Sequence, residues 1–339
     1  MSHPNPAQGP AAVFQMLGGA QATAVISAGV ELGVFAALAK GPASADDVAE
    51  RIHCPPRSTR ILLNAMTALG LVAKSGPSYR LSPMAEATLV PDRPGYAGGM
   101  TAVSASPMMW QALGRLKEAV QRGGSILDDH GETPRHPFWE VFAENTAGFS
   151  AMSAMAVEKS VHDFVASKPK VRVLDVAAGS GMYGFTMAKN PNVELTSLDW
   201  PNVLVHTKKR AEALGVDAKR VHYLEGDLFQ VDFGGPYDVV VLSQIYHHFD
   251  DATCTRLTRK VAAALAPGGK AVVHDFLSDD DVRNPAAAMF SITMLVWTQH
   301  GEAYAAKDYE RWFVEAGMTA PKMAPFEGAP SSVLVSDKP

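Results

Sequence analysis

Three short runs in the second half of the chain carry residue types and spacings suited to holding a nucleotide-like ligand. The first is Asp175-Val176-Ala177-Ala178-Gly179-Ser180-Gly181. Its glycines permit a tight turn and let a ligand approach bare backbone at the start of a helix. Read as G-x-G-x-x-G the run takes in Gly184 as well, although any strand-to-helix turn can use glycine. The second run ends in Leu198-Asp199, about 20 residues after the glycine turn. A carboxylate at that spacing can hold a pair of ribose hydroxyls. The third is Gly226-Asp227-Leu228-Phe229, an acid beside an apolar platform, which is what the amine and ring of adenine require. Each acid taken singly also fits a loop cap or a solvated charge. Two acids at consecutive strand ends, after a glycine turn, are harder to put down to coincidence.

The elements that must position these runs alternate between strand and helix. Val171–Val176 reads as a short apolar strand, Met182–Lys189 as a helix stopped by Asn190-Pro191, and Val193–Leu198 as a second strand. Val203–Leu214 then reads as a helix, Val221–Leu224 as a strand, and Tyr237–Leu242 as an apolar strand of the kind buried in a parallel sheet. Asp251–Leu265 reads as a helix ended by Ala266-Pro267-Gly268-Gly269, and Lys270–Phe276 as a further strand. Such alternation predicts an α/β, doubly wound sheet with helices on both faces.

The first domain, 1–105, reads differently, with short helices and turns over residues 11–105. Ala11–Ala28 is small and apolar throughout, and Glu31–Ala39 is a second helical run stopped by Lys40-Gly41-Pro42. Ser44 is placed as an N-cap before Asp46 and Asp47, acids that suit the first turn of a helix. Pro55-Pro56 breaks that helix, and Ile61, Leu62, Ala65, Met66 and Leu69 then mark an amphipathic helix ending at Gly70. Leu71-Val72-Ala73 and Tyr79-Arg80-Leu81 flank a turn and predict a hairpin. Helix, helix, helix, hairpin is a winged-helix layout, whose sharper reading is DNA binding. Only Arg57, Arg60, Lys74 and Arg80 would serve it, so a structural or dimerising role is the expectation. Residues 106–165 form a helical connector in which Met108, Met109, Trp110, Phe138, Trp139, Phe142, Phe149, Met152 and Met155 either fill a core or wall a pocket.

Composition narrows the function classes. The 339 residues are 47% hydrophobic and 19% charged, enough apolar material for two domains with sizeable cores. A net charge of −5 and the lack of a Lys/Arg stripe speak against nucleic acid as a partner. Cys54 and Cys254 suggest neither a disulfide framework nor a zinc site, and two lone cysteines fit a reducing compartment. Met1–Pro10 is polar and Pro-rich with no signal-peptide layout, and no run reads as approaching the ~18 apolar residues of a membrane span. A cytoplasmic protein without membrane contact is expected.

Together the motifs resemble those of class I S-adenosylmethionine-dependent methyltransferases. Val173–Gly181 is similar to their cofactor-binding first motif, Leu198-Asp199-Trp200-Pro201-Asn202-Val203 to their ribose-binding segment, and Gly226–Phe229 to their adenine-binding segment. Glu31–Phe35, the winged-helix region and Arg80-Leu81-Ser82-Pro83 resemble the dimerisation domain of O-methyltransferases of the caffeate and hydroxyindole type, bacterial natural-product relatives above all. The resemblance spans nearly the whole chain. It implies a Rossmann-like catalytic domain over 166–339, an N-terminal mainly α winged-helix dimerisation domain, a homodimer, and S-adenosylmethionine as cofactor. Asp175, Gly179, Gly181, Asp199, Trp200, Gly226, Asp227, Leu228 and Ser243 are the expected cofactor residues.

In that family a histidine after the fourth strand, usually within His-Asp-Trp, is the general base. The run Ser243-Gln244-Ile245-Tyr246-His247-His248-Phe249-Asp250-Asp251 puts His247 there, and Asp275 of His274-Asp275 falls at the position of its orienting acid. A neutral imidazole can take a phenol proton as the methyl group arrives, because imidazole titrates near working pH. Two departures stand out: His248 replaces the usual Asp, and Ala303 of Gly301-Glu302-Ala303-Tyr304 replaces a second orienting Glu of plant members. A metal reading of His247-His248-Phe249-Asp250-Asp251 finds no completing ligand set, so no metal is expected.

The resulting expectation is O-methylation of a phenol-like acceptor held by Phe142, Phe149, Met152, Met289, Trp297 and His300. The rivals are N- or C-methylation, a relative that keeps the cofactor without transferring its methyl, and a ligand-sensing DNA-binding protein.

Overall fold

Gly18 interrupts the first apolar stretch, so the expected helix Ala11–Ala28 forms as two, Pro10–Leu17 and Gly19–Glu31. These open a computed structural model that describes residues 9–326 and 329–339. The first eight residues of the Pro-rich N-terminus lie outside the described residues. Contacts divide the chain into two units at Pro107–Met108. The connector 106–165 therefore falls almost wholly within the second unit.

In the first unit Ser44 caps the helix Ala45–Arg51 as expected, its hydroxyl accepting the Asp47 N–H while Asp47 accepts the Ser44 N–H. Pro56 opens the helix Pro56–Ala68, whose Leu63 and Met66 are buried beneath the hairpin. That hairpin pairs β2 (Val72–Ser75) with β3 (Ser78–Leu81), and β1 (Ala43–Ser44) adds a third strand on β3. Val34, Phe35, Val48, Leu63, Met66 and Tyr79 form the core.

One sequence expectation is corrected here. Pro10–Glu31, 22 residues containing an 18-residue window of mean hydropathy 1.3, is long and apolar enough to cross a membrane by length and composition alone. Val13, Phe14, Met16 and Leu17 along it are 57–79% exposed.

The second unit carries seven strands: β4 (Val171–Val176), β5 (Val193–Asp199), β6 (Val221–Glu225), β7 (Tyr237–Ser243), β8 (Leu265–Asp275), β9 (Lys322–Ala324) and β10 (Ser332–Asp337). Their order is β6-β5-β4-β7-β8-β10-β9. The first five run parallel, and β10 lies antiparallel to both β8 and β9. Side chains alternate across the sheet. Val171, Val173, Val239, Val241 and Val272 pack with Val157, Val161 and Val165 of the helix Ala147–Ala166. Leu174, Val176, Val240, Leu242 and Val273 pack on the other face with the helices Asp251–Ala264 and Ala306–Glu315. Both faces are covered, which is why β4 and β7 read as near-continuous apolar runs.

A second correction concerns Ala266-Pro267-Gly268-Gly269: they end the helix as expected, but the strand expected to begin at Lys270 already includes them as part of β8. Tyr237 pairs Leu265 and Val239 pairs Lys270, so two residues of advance on β7 meet five on β8. The extra residues stay in the strand because Gly268 donates to the Lys338 carbonyl and Gly269 accepts from the Lys338 N–H, both at 2.8 Å. That partner lies about 70 residues downstream, out of reach of local turn signals.

Candidate active site

The sheet reverses its winding between β4 and β7, and ligands of open α/β sheets sit in the crevice outside the carboxyl ends at such a point. Register brings those ends abreast: Val176 lies opposite Leu198 and Leu242, and Ser243 opposite His274. The expected glycine turn, Asp199, Ser243 and Asp275 therefore share one edge of the sheet.

Backbone geometry at this edge is unusual. Ala177 just after β4 and Gln244 just after β7 both lie in the left-handed region, at φ +56° and +57°. Non-glycine residues pay about 1–3 kcal/mol for such conformations, and strain of this kind gathers at functional sites. Gly179 has φ +53° with open space where a Cβ would project, so the backbone there is bare toward the crevice. At Gly184 a Cβ would lie 2.9 Å from Asp175 Oδ2 and 2.8 Å from Leu195, so the helix Met182–Met187 needs glycine to seat this closely.

Asp199 braces the turn from the neighbouring strand. Its Oδ2 accepts the Gly179 N–H at 2.8 Å and its Oδ1 the Trp200 N–H at 2.7 Å. Thr207 clamps the same loop by donating to the Gly179 carbonyl at 2.7 Å. Asp175 is fully buried, and its Oδ2 accepts the Gly184 N–H at 2.9 Å. Burial pushes the Asp175 carboxyl up to about 7, against the Gly184 hydrogen bond and with help from the Asp199 charge. Burial likewise pushes Asp199 up to about 6, opposed by the Gly179 and Trp200 N–H groups. Gly226 donates to the Asp199 carbonyl, and Asp227 Oδ1 accepts the Phe229 N–H at 2.8 Å, presenting half-buried Leu228 and Phe229 beside the acid. Ser243 Oγ is buried and has no protein partner.

The turn after β7 carries the histidines. His247 Nδ1 lies 2.5 Å from Asp275 Oδ1, and the two residues are 2% and 1% exposed. Asp275 Oδ1 also accepts the Phe276 N–H, and its Oδ2 accepts the Tyr309 hydroxyl at 3.1 Å. Phe290 stands edge-on to the His247 ring at 4.7 Å. His248 meets Trp139 edge-on at 5.2 Å, its Nδ1 is buried without a partner, and burial beside His247 holds it well below the usual imidazole range. His248 is thus a neutral ring in an apolar wall.

The expected acceptor residues do not all gather. Phe142 and Trp297 both contact Phe138, which with Trp139 continues the aromatic chain to His248. Trp297 is only 1% exposed and forms part of the packed interior, while Phe149, Met152 and Met289 are 51%, 60% and 68% exposed. His300 is exposed as well. Tyr309, Phe290 and Gln244 were not singled out from the sequence. Tyr309 meets Asp275 across 34 residues, and nothing local marks it.

Residues 136–319 match the model of the O-methyltransferase domain, and residues 14–91 that of the O-methyltransferase dimerisation domain. The 3-hydroxy-5-methyl-1-naphthoate 3-O-methyltransferase of Streptomyces sahachiroi is 30% identical over 93% of this chain and 91% of its own. A solved Nostoc punctiforme structure superposes with a TM-score of 0.90 at 34% identity, covering 99% of this chain and 100% of that one. The human N-acetylserotonin methyltransferase, solved in complex with SAM, shares the fold at a TM-score of 0.86 and 21% identity over 100% and 99% of the two chains. With its crevice at the β4–β7 reversal and both domain models matched in order, the chain belongs to the S-adenosylmethionine-dependent O-methyltransferase family that joins a dimerisation domain to a catalytic one.

Proposed function

We propose that this enzyme methylates a phenolic hydroxyl of a small aromatic or polyketide-like metabolite, with His247 as the general base. The observation that carries the reading is the buried His247–Asp275 pair at the mouth of the crevice. An ionised carboxylate only accepts, so His247 Nδ1 bears the proton and Nε2 keeps its lone pair for the acceptor hydroxyl. Asp275 then steadies the imidazolium formed when that proton arrives.

The residues at the crevice also fit the cofactor. Each Asp199 oxygen accepts one backbone N–H and retains a lone pair, enough for the two ribose hydroxyls. Asp227 suits the adenine amine, Leu228 its ring, and Trp200 the neighbouring wall. Gly179, Gly181 and Gly226 leave backbone open to close approach, and the unpartnered Ser243 Oγ offers a polar contact. Asp175 acts through the turn it braces. Bound S-adenosylmethionine supplies a methyl group made electrophilic by its sulfonium. The chain's residues align the acceptor oxygen with that carbon and exclude water, which supplies most of the rate, and the base adds a factor of ~10²–10⁴.

Phe142, Phe149, Met152, Met289 and His300 serve as acceptor contacts in this reading, with buried Trp297 backing the wall. The winged-helix layout of the first unit serves a homodimer in the cytoplasm, not DNA. An assay of S-adenosylhomocysteine release across a panel of phenols, aryl amines and carbon acids tests the proposal. Turnover with phenols is expected. Turnover confined to amines or carbon acids, or none with any acceptor, overturns it.

A further inference from the structure

Asp275 must be fixed before it can fix His247. Its side chain emerges at the end of β8, 1% exposed, where an aspartate free to rotate would carry the imidazole with it. One oxygen is committed to His247 Nδ1 and the Phe276 N–H. Among the described residues the other oxygen has a single donor, the Tyr309 hydroxyl. The Tyr309 hydroxyl bonds nothing else among the described residues, and Tyr309 is 0% exposed and lies on the helix Ala306–Glu315. Its ring is held edge-on by Tyr246 at 5.3 Å and by Trp312 at 5.1 Å. Tyr246 immediately precedes His247, so one aromatic cluster locks both the donor and the turn that carries the ring.

We infer that Tyr309 is a positioning residue for the reaction: its hydroxyl sets the Asp275 carboxylate in the orientation that holds His247 Nε2 toward the acceptor. This rests on the reading of His247 as base. The hydroxyl also draws charge from the carboxylate and so limits how strongly Asp275 favours the imidazolium. Other titratable groups around the pair are His248, His274, Cys254, Tyr246 and Tyr183. Burial lowers the two histidines, His274 to about 4, and raises the thiol and the phenols, Tyr309 among them. All of these stay neutral near pH 7. Asp175 and Asp199, pushed up to about 7 and 6, titrate there but accept no hydrogen bond from Tyr309, so a limb that moves in Tyr309→Phe reports on the His247–Asp275 pair.

Tyr309→Phe keeps the ring and removes only the donor. It is expected to lower kcat roughly 10-fold, as loss of a hydrogen bond to a charged group does, with the KM for S-adenosylmethionine unchanged. The acid limb of the kcat profile should move to higher pH by about 0.5–1 unit, because the less neutralised carboxylate holds the imidazolium longer. The His247 ring resonances in ligand-free protein should titrate with the same shift. In an Asp275→Asn background Tyr309→Phe should cost little further, since the charge it held is gone. If His247→Ala slows transfer while Tyr309→Phe leaves kcat, the acid limb and the His247 titration unmoved, Tyr309 has no positioning role and the base reading stands. If His247→Ala transfers at the wild-type rate, the base reading falls. The ring titration then decides alone: a shift in Tyr309→Phe sustains the contact, and no shift overturns it. Should Tyr309→Phe fail to fold, the Asp275→Asn enzyme carries the test from the carboxylate's side. An acid limb unmoved there overturns the role assigned to Tyr309.

Discussion

Asp199 Oδ2 accepts the Gly179 N–H at 2.8 Å, so the end of β5 holds the glycine turn that follows β4. One carboxylate therefore shapes the turn and faces the crevice at once.

Asp199→Ala should weaken S-adenosylmethionine binding by at least ~1.5–3 kcal/mol, the worth of charge-assisted bonds to two hydroxyls. The wild-type affinity should also fall as pH drops through about 6, where Asp199 takes up a proton and loses acceptor capacity. Calorimetry between pH 5 and 8 checks both, and a flat profile with an unaffected variant removes the ribose assignment.

Asp175 makes the opposite kind of contribution, to stability. Its folded value near 7 exceeds the ordinary 3.8, so the folded chain binds this proton more tightly than the unfolded chain. Ionised Asp175 therefore destabilises the fold above pH 7, and the penalty fades as pH falls toward 4. Asp175→Asn keeps an acceptor for the Gly184 N–H and should stabilise the ligand-free protein at pH 8 by on the order of 1–3 kcal/mol. The gain should shrink to roughly a third of that at pH 5 and vanish only near pH 4, the unfolded value. Thermal melts at pH 8 and pH 5 decide it, and equal Tm for variant and wild type at pH 8 contradicts the burial penalty.

His247→Ala should lower kcat by ~10²–10⁴ for a phenol of ordinary acidity while sparing cofactor affinity. The loss should shrink for acceptors that ionise unaided. His248→Ala should do much less, because that ring is neutral and walled by Trp139. Single-turnover rates across a series of phenols measure this, and a larger loss at His248 would reverse the two roles.

Deleting residues 1–30 removes the helix Pro10–Leu17 and nearly all of Gly19–Glu31, with the exposed Val13, Phe14, Met16 and Leu17. Residues 14–91 match a dimerisation domain, so light scattering should find monomers or aggregates. A well-behaved dimer after the deletion places the interface elsewhere.

Much of the catalytic unit is legible in the sequence because its cues are local. The strand Val171–Val176 has its expected bounds, and β5 and β7 each end one residue past theirs. Burial on both faces leaves an apolar run that any reader of the chain can see. The glycine turn and the strand-end acids are legible for the same reason. A backbone that must turn tightly, followed by a carboxylate about 20 residues on, is written within one βαβ unit.

What only the tertiary structure decided lies in contacts between distant segments. Residues 265–269 join β8 because Lys338 supplies their hydrogen bonds, and β10 covers the edge of β8 by antiparallel pairing. Trp297 is enclosed by Phe138 and His136 while Met289, on the same helix, stays exposed, although composition treats both as pocket candidates. The support of Asp275 by Tyr309 spans 34 residues and depends on how the helix Ala306–Glu315 packs against the sheet. Periodicity names the face a residue occupies within its own element. Which side chain it meets across the core depends on the docking of whole elements, and no local pattern encodes that.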